Sequence, residues 1–281
     1  MRTAPIAIGI GLILGPSAVG QPMRSTPSAP FTLGVVETIH STVLGEHRVL
    51  NIALPQGYHT DSAARYPVIY LLDGGADEDF IHIAGAAQFA AFPWVDWLMP
   101  SIVVGIANVD RRRDLTTPTT IAKDKADFPT TGGSAVFMGF LDREVIPFVE
   151  ANYHTSPERT LIGQSLGGLF ATEVLLRRPW LFQHYIIVSP SLWWDNGSTL
   201  DIPVDALSAP DIGVASVYIA VGKEGREMEG PAQHLAAIAR KAHVQQVSYQ
   251  RITDLDHATL LHEAVLKAWR WRRKADRDHA R

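Results

Sequence analysis

The sequence contains no cysteine, and that absence removes a good deal of chemistry. Disulfides, thiolate zinc sites, iron–sulfur clusters and a cysteine nucleophile are all excluded. Charge is also scarce. Charged residues make up 19% of the 281 positions against 46% hydrophobic, so the chain can bury a large core and is not disordered over most of its length. There is no basic excess: a formal charge of −4 removes the electrostatic footprint of a nucleic-acid binder, and no such partner is expected. A long apolar run is missing too. The stretch over residues 4–19 falls short of the roughly 20 residues a membrane span needs and is broken by Pro5, Gly9, Gly11, Gly15 and Pro16. With Met1-Arg2-Thr3 before it and small residues at Ala18 and Gly20 behind it, residues 1–20 are expected to be a secretory signal peptide cut near Gly20. An uncleaved anchor is the alternative reading. A periplasmic or secreted protein is therefore expected, with no membrane contact beyond the signal.

What is present reads as one domain. Residues 21–30 carry Pro22, Pro27 and Pro30 and form an expected tether, followed by a catalytic domain over 31–275 and a charged tail over 276–281. Eight candidate strands fall at 35–43, 48–55, 66–72, 101–108, 160–163, 185–189, 217–222 and 247–253. The first two run into each other through a turn at Gly45-Glu46, like a hairpin. Several later ones are continuously apolar, as strands covered on both faces must be. Helical patterns separate them. One is expected over 134–152 with Ser134 as its cap, one from Ser165 to before Pro179, one over 232–242 and a last one from about Ala258. This alternation predicts an α/β fold of about eight mostly parallel strands with helices on both faces.

The segment Thr160-Leu-Ile-Gly163-Gln-Ser165-Leu-Gly167-Gly168 reads as strand, sharp turn and helix start, with Ser165 at the apex of a Gly-x-Ser-x-Gly motif. Glycines on both sides leave room for the strained backbone that lifts the hydroxyl above the sheet edge. The pentapeptide alone is weak evidence; the strand before it and the helix after it make it specific. A serine hydroxyl needs a base, and eleven histidines compete for that role. His257 is the candidate, because it lies in the loop between the last strand and the final helix, where the chain order nucleophile, acid, base would put it. His262 falls inside that helix, and His234 and His243 belong to a polar one.

The acid should follow the preceding strand. There the chain reads Lys223-Glu224-Gly-Arg-Glu227-Met-Glu229. Glu224 is the first candidate and Glu227 the second; a Ser165–His257 dyad with neither is the third. Oxyanion donors are expected from the N–H of Leu166, just after the serine, and of Gly75, in the Asp73-Gly74-Gly75 turn after the third strand.

The segments 66–74 (YPVIYLLDG), 104–108 (VGIAN), 110–116 (DRRRDLT), 163–168 (GQSLGG) and 189–195 (SPSLWWD) resemble the esterase family of α/β-hydrolases, in the branch that holds ferric-siderophore trilactone esterases. The resemblance spans roughly 35–271. It implies the α/β-hydrolase fold, Ser165 as nucleophile, His257 as base, the Gly75 and Leu166 amides as oxyanion donors, and hydrolysis of a small-molecule ester through an acyl-enzyme. The chain departs from the family pattern at the acid, where a carboxylate about three residues past the strand-end glycine is replaced by Gly225. Arg111 is a possible substrate-binding residue, although pairing with the neighbouring Asp110 and Asp114 is the plainer reading of the arginine run. Trp193 and Trp194 follow a strand end and either line a pocket or pack in the core. No metal site and no cofactor are expected, since His262-Glu263 lacks the second histidine of a zinc helix. An acyltransferase of the same superfamily and a non-catalytic binding protein with a hydrolase fold are the rival functions.

Overall fold

The apolar runs form strands whose two faces are both buried. In β3 (Tyr66–Leu71), Val68 and Tyr70 enter one core while Ile69 and Leu71 enter another, because successive side chains point to opposite sides. The computed structural model describes residues 29–209 and 212–279. The expected signal peptide over 1–20 and the tether up to residue 28 lie outside the described residues.

A sheet of eight strands runs in the order β1 (Val35–Ser41), β2 (Glu46–Ala53), β4 (Ile102–Ile106), β3, β5 (Thr155–Gln164), β6 (His184–Val188), β7 (Ser216–Val221) and β8 (Gln246–Arg251). β1–β2 and β2–β4 pair antiparallel, and every later pair is parallel. β5 starts five residues before its expected position at 160, because Thr155 pairs with Tyr66 across a register irregularity that the sequence pattern does not reveal.

The helices are α1 (Phe80–Ala90), α2 (Arg111–Leu115), α3 (Ala122–Asp127), α4 (Ser134–Phe140), α5 (Ile146–Asn152), α6 (Leu166–Arg177), α7 (Arg226–Lys241) and α8 (Leu260–His279). α1 and α8 cover one face of the sheet, and α4 to α7 cover the other. α4 and α5 are the two ends of the helix expected over 134–152, joined by a π-helical turn at Leu141–Val145. Ser134 does not cap it. Gly133 holds the cap position, and Ser134 is the first helical residue with its hydroxyl buried. α7 begins six residues before the expected 232, with Glu227 and Glu229 in its first turn where the helix dipole favours carboxylates. α8 carries the charged tail as helix as far as His279, and Arg277 pairs with Asp96.

Candidate active site

Every loop leaving the C-terminal edge of the parallel strands contributes to one place, the crevice position where open α/β sheets bind ligands. Ser165 follows β5 and precedes α6, at φ 59° and ψ −119°. A non-glycine residue costs about 1–3 kcal/mol in such a conformation, so the surroundings must hold it. They do: its N–H donates to Val188 O at 3.0 Å, and its carbonyl accepts from Leu169 N at 2.9 Å and Ser191 N at 3.0 Å. The flanking glycines are steric necessities, since a Cβ on Gly163 would lie 2.3 Å from Gly167 O and one on Gly168 would lie 2.9 Å from Pro190 Cα.

The cavity beside Ser165 measures about 370 Å³ and is lined by Asp73, Glu78, Asp79, Arg111, Gln164, Ser165, His257 and Ala258. A larger one of about 580 Å³, between residues 95–97 and α8, is lined by no serine or histidine. His257 is half-exposed, and its Nδ1 is 2.6 Å from Glu224 Oε2. Glu224 is buried to 6% exposure, and its other oxygen accepts from Ser189 Oγ at 2.5 Å and Gly222 N–H at 2.8 Å. Those donors leave Oε2 facing the imidazole. Gln164 fixes the loop from the other side by donating to His257 O at 2.5 Å. Glu227 is exposed on α7 and makes no contact with His257; Glu229 instead receives the Glu224 and Gly225 amides and pairs with Arg251. Among the described residues the hydrogen-bond partner of Ser165 Oγ is Ser191 Oγ at 3.4 Å, not the imidazole. Catalytic hydrogen bonds are often loose before substrate arrives.

The two expected oxyanion donors differ. Leu166 heads α6, so its N–H has no intrahelical acceptor and sits at the positive end of the helix dipole. Gly75 N–H is engaged: it donates to Glu78 Oε2 at 2.6 Å. The turn that carries it is tightly packed, because a Cβ on Gly74 would lie 2.3 Å from Gly105 Cα.

Arg111 does reach the cavity, but its guanidinium forks onto Asp73, Nε to Oδ1 at 2.6 Å and Nη2 to Oδ2 at 2.9 Å. The arginine run is thus not held by its neighbours alone: Arg111 takes Asp73, Arg112 lies over the Phe128 ring, and Arg113 joins Glu46 and Asp114. The tryptophans line no part of this cavity. Trp194 is fully buried and donates from Nε1 to Thr117 O at 3.0 Å, while Trp193 packs beside it at 6.2 Å between ring centres. Their apolar area belongs to the core. Sequence reasoning missed Ser189, Gln164, Asn108, Glu78 and Asp79. For the first three the usable signal was position, since they lie within two residues of the C-terminal ends of β6, β5 and β4; Glu78 and Asp79 stand farther along, at the start of α1, and carried no such signal.

An eight-stranded sheet with a strained serine between β5 and α6, a histidine after β8 and a carboxylate after β7 is the architecture of the α/β-hydrolase fold. The solved structure of an IroE-like serine hydrolase from Shewanella oneidensis superposes with a TM-score of 0.74 at 27% identity, covering 84% of this chain and 79% of that one. Within that fold the chain belongs to the Putative esterase family, whose model matches residues 41–279. It is similar to the ferri-bacillibactin esterase BesA of Bacillus subtilis, 33% identical over 186 residues, and to the siderophore triacetylfusarinine C esterase of Aspergillus fumigatus, 31% identical over 162 residues. These alignments take in 60% and 54% of this chain, and they span 63% and 54% of those two relatives.

Proposed function

We propose that the protein is a serine esterase that hydrolyses small-molecule esters through an acyl-enzyme. The observation that carries the proposal is the strained Ser165 facing the same cavity as His257, whose Nδ1 is held 2.6 Å from the buried Glu224. His257 takes the Ser165 proton at Nε2 as Oγ attacks the ester carbonyl, while Glu224 stabilises the imidazolium and fixes the ring. The tetrahedral oxygen is received by the Leu166 amide and by the Gly75 amide once Glu78 releases it. The imidazolium returns the proton to the departing alcohol. Water then loses a proton to His257, attacks the acyl-serine and releases the acid.

The family and the two named relatives support hydrolysis over acyl transfer, and they favour a siderophore ester as the substrate. Export to the periplasm or the medium is part of the proposal and rests on the composition of residues 1–20. Among the described residues no helix is long and apolar enough to cross a membrane.

The test is a hydrolysis panel of p-nitrophenyl esters of graded chain length beside a ferric trilactone siderophore, run with and without glycerol. Turnover to free acid in both conditions is the expected result. Absence of turnover on the whole panel, or accumulation of glyceryl ester as the main product, contradicts the proposal.

A further inference from the structure

The cavity of about 580 Å³ lies at the other end of the layer that α1 and α8 form, away from Ser165. α1 starts beside the Ser165 cavity, where Asp79 caps it, and its far end leads into residues 95–97, one wall of the larger cavity. α8 starts two residues after Ala258 and supplies the other wall from Lys267 to Asp278. The two cavities share no lining residue. Five lysines and arginines of α8 line the larger one against two carboxylates, Asp96 and Asp278, and Trp97 and Trp271 give it apolar walls. A chain with a formal charge of −4 thus gathers an excess of cations in one place. Some of that charge is already matched: Asp96 takes both Arg273 and Arg277, and Lys267 pairs with Glu263 one helical turn back. Among the described residues Arg270 and Lys274 pair with no carboxylate, and both are exposed. The Arg270 guanidinium lies over the Trp97 ring, 5.5 Å from its centre, and Lys274 follows one turn later on the same face of α8. A guanidinium held on an indole keeps its edge N–H groups free to fork onto an acid.

We infer that this cavity is a second ligand site, which takes a small anionic molecule with an aromatic body, its acid group held by Arg270 and Lys274 and its ring by Trp97 and Trp271. The unpaired cations gain charge-assisted hydrogen bonds without first giving up a carboxylate of the protein. The indoles remove the apolar ring from water. A neutral ring forfeits the ion pair and a bare carboxylate forfeits the ring, so the two parts act together. Arginine and lysine keep their charge through the neutral range, and an ordinary carboxylic acid is ionised there, so the attraction needs no protonation step.

The experiment is isothermal titration of the full chain near neutral pH with 2-naphthoate, its neutral counterpart 2-naphthylmethanol, and acetate. Naphthoate is expected to saturate one site with a Kd below about 1 mM, and each of the other two to bind at least about tenfold more weakly. Replacing both cations, Arg270→Gln with Lys274→Gln, should weaken naphthoate by about tenfold, and about 0.5 M salt should weaken it by about threefold. Both side chains are exposed, so the variant should keep the wild-type thermal melt. Equal affinity for naphthoate and naphthylmethanol, or for naphthoate and acetate, overturns the inference. So does a loss of less than about threefold in the double variant, which would put the anion elsewhere, as beside Arg111. Absence of naphthoate binding overturns it too, and co-sedimentation with phosphatidylglycerol vesicles would then assign these cations to a lipid surface. No turnover is read, so a failure of the esterase reading alters none of these outcomes.

Discussion

The two edges of the same parallel sheet hold the same three residue types with different consequences. At the N-terminal edge, His184 Nδ1 is 2.8 Å from Ser216 Oγ and its Nε2 is 3.6 Å from Glu158. At the C-terminal edge stand Ser165, His257 and Glu224. By composition either could be a serine triad. The first set lies within strands at the starts of β6 and β7, with His184 8% and Ser216 4% exposed, and burial pushes the imidazole pKa down to about 3. A base that weak and that inaccessible cannot accept a proton from an attacking hydroxyl near neutral pH. The second set sits on loops, with a strained serine, a half-exposed imidazole and a carboxylate already at hydrogen-bond distance. What separates chemistry from packing is therefore the strand end at which the chain turns, more than the identity of the residues.

The largest expected contrast is between the two serines. Ser165→Ala should lower kcat by about 10⁴–10⁶ without unfolding the protein, while Ser216→Ala should leave kcat within about twofold. Steady-state kinetics with circular dichroism on both variants checks this, and equal losses would erase the distinction between the edges. A finer contrast lies within the C-terminal edge. Glu224→Gln keeps the shape of the acid but removes its charge and should cost about 10²–10⁴ in kcat, whereas Glu227→Gln should cost less than about fivefold. The reverse order would transfer the acid role to Glu227.

The N-terminal edge has its own signature in acid. His184 has a lower pKa folded than the ordinary imidazole value, so the unfolded chain binds the extra proton first, and stability falls as pH drops from about 6.5 towards about 3. Between pH 6.5 and 4.5 this group alone should remove about 2 kcal/mol, and His184→Asn should flatten that part of the profile in urea titrations. An unchanged profile would mean that the imidazole is not held neutral. A modest effect is expected of Ser189→Ala. Losing the hydroxyl that donates to Glu224 should reduce kcat by about three- to tenfold with KM unchanged, since Gly222 N–H still holds the same oxygen.

Local pattern carried most of the fold. Continuous apolar runs marked inner strands such as β3 and β4, whose two faces are both covered, while β1, β2 and β8 are mixed in character, and the Gly163–Gly168 segment marked the elbow, where Gly163 meets Gly167 and Gly168 meets Pro190. Chain order pointed to His257 and Glu224 as candidates, but it could not show the Ser189 and Gly222 donors that turn the Glu224 carboxylate to the imidazole, since these arrive from another strand end and from Glu224's own turn. Glu78 was invisible for a different reason: its effect is to occupy an amide that sequence reasoning had assigned to the reaction, and no periodicity encodes that. Trp194 was undecidable because an indole after a strand end can face either way, and Thr117 O, which takes its N–H, lies far off in sequence.

Of the serines near a histidine, we propose Ser165 alone to be an activated nucleophile. Labelling the wild-type protein with a fluorophosphonate and mapping the adduct by peptide mass spectrometry tests it most directly. One adduct, on the peptide containing Ser165 and abolished in Ser165→Ala, is the result predicted. No adduct, or one on Ser216 or Ser191 that persists in Ser165→Ala, would contradict it.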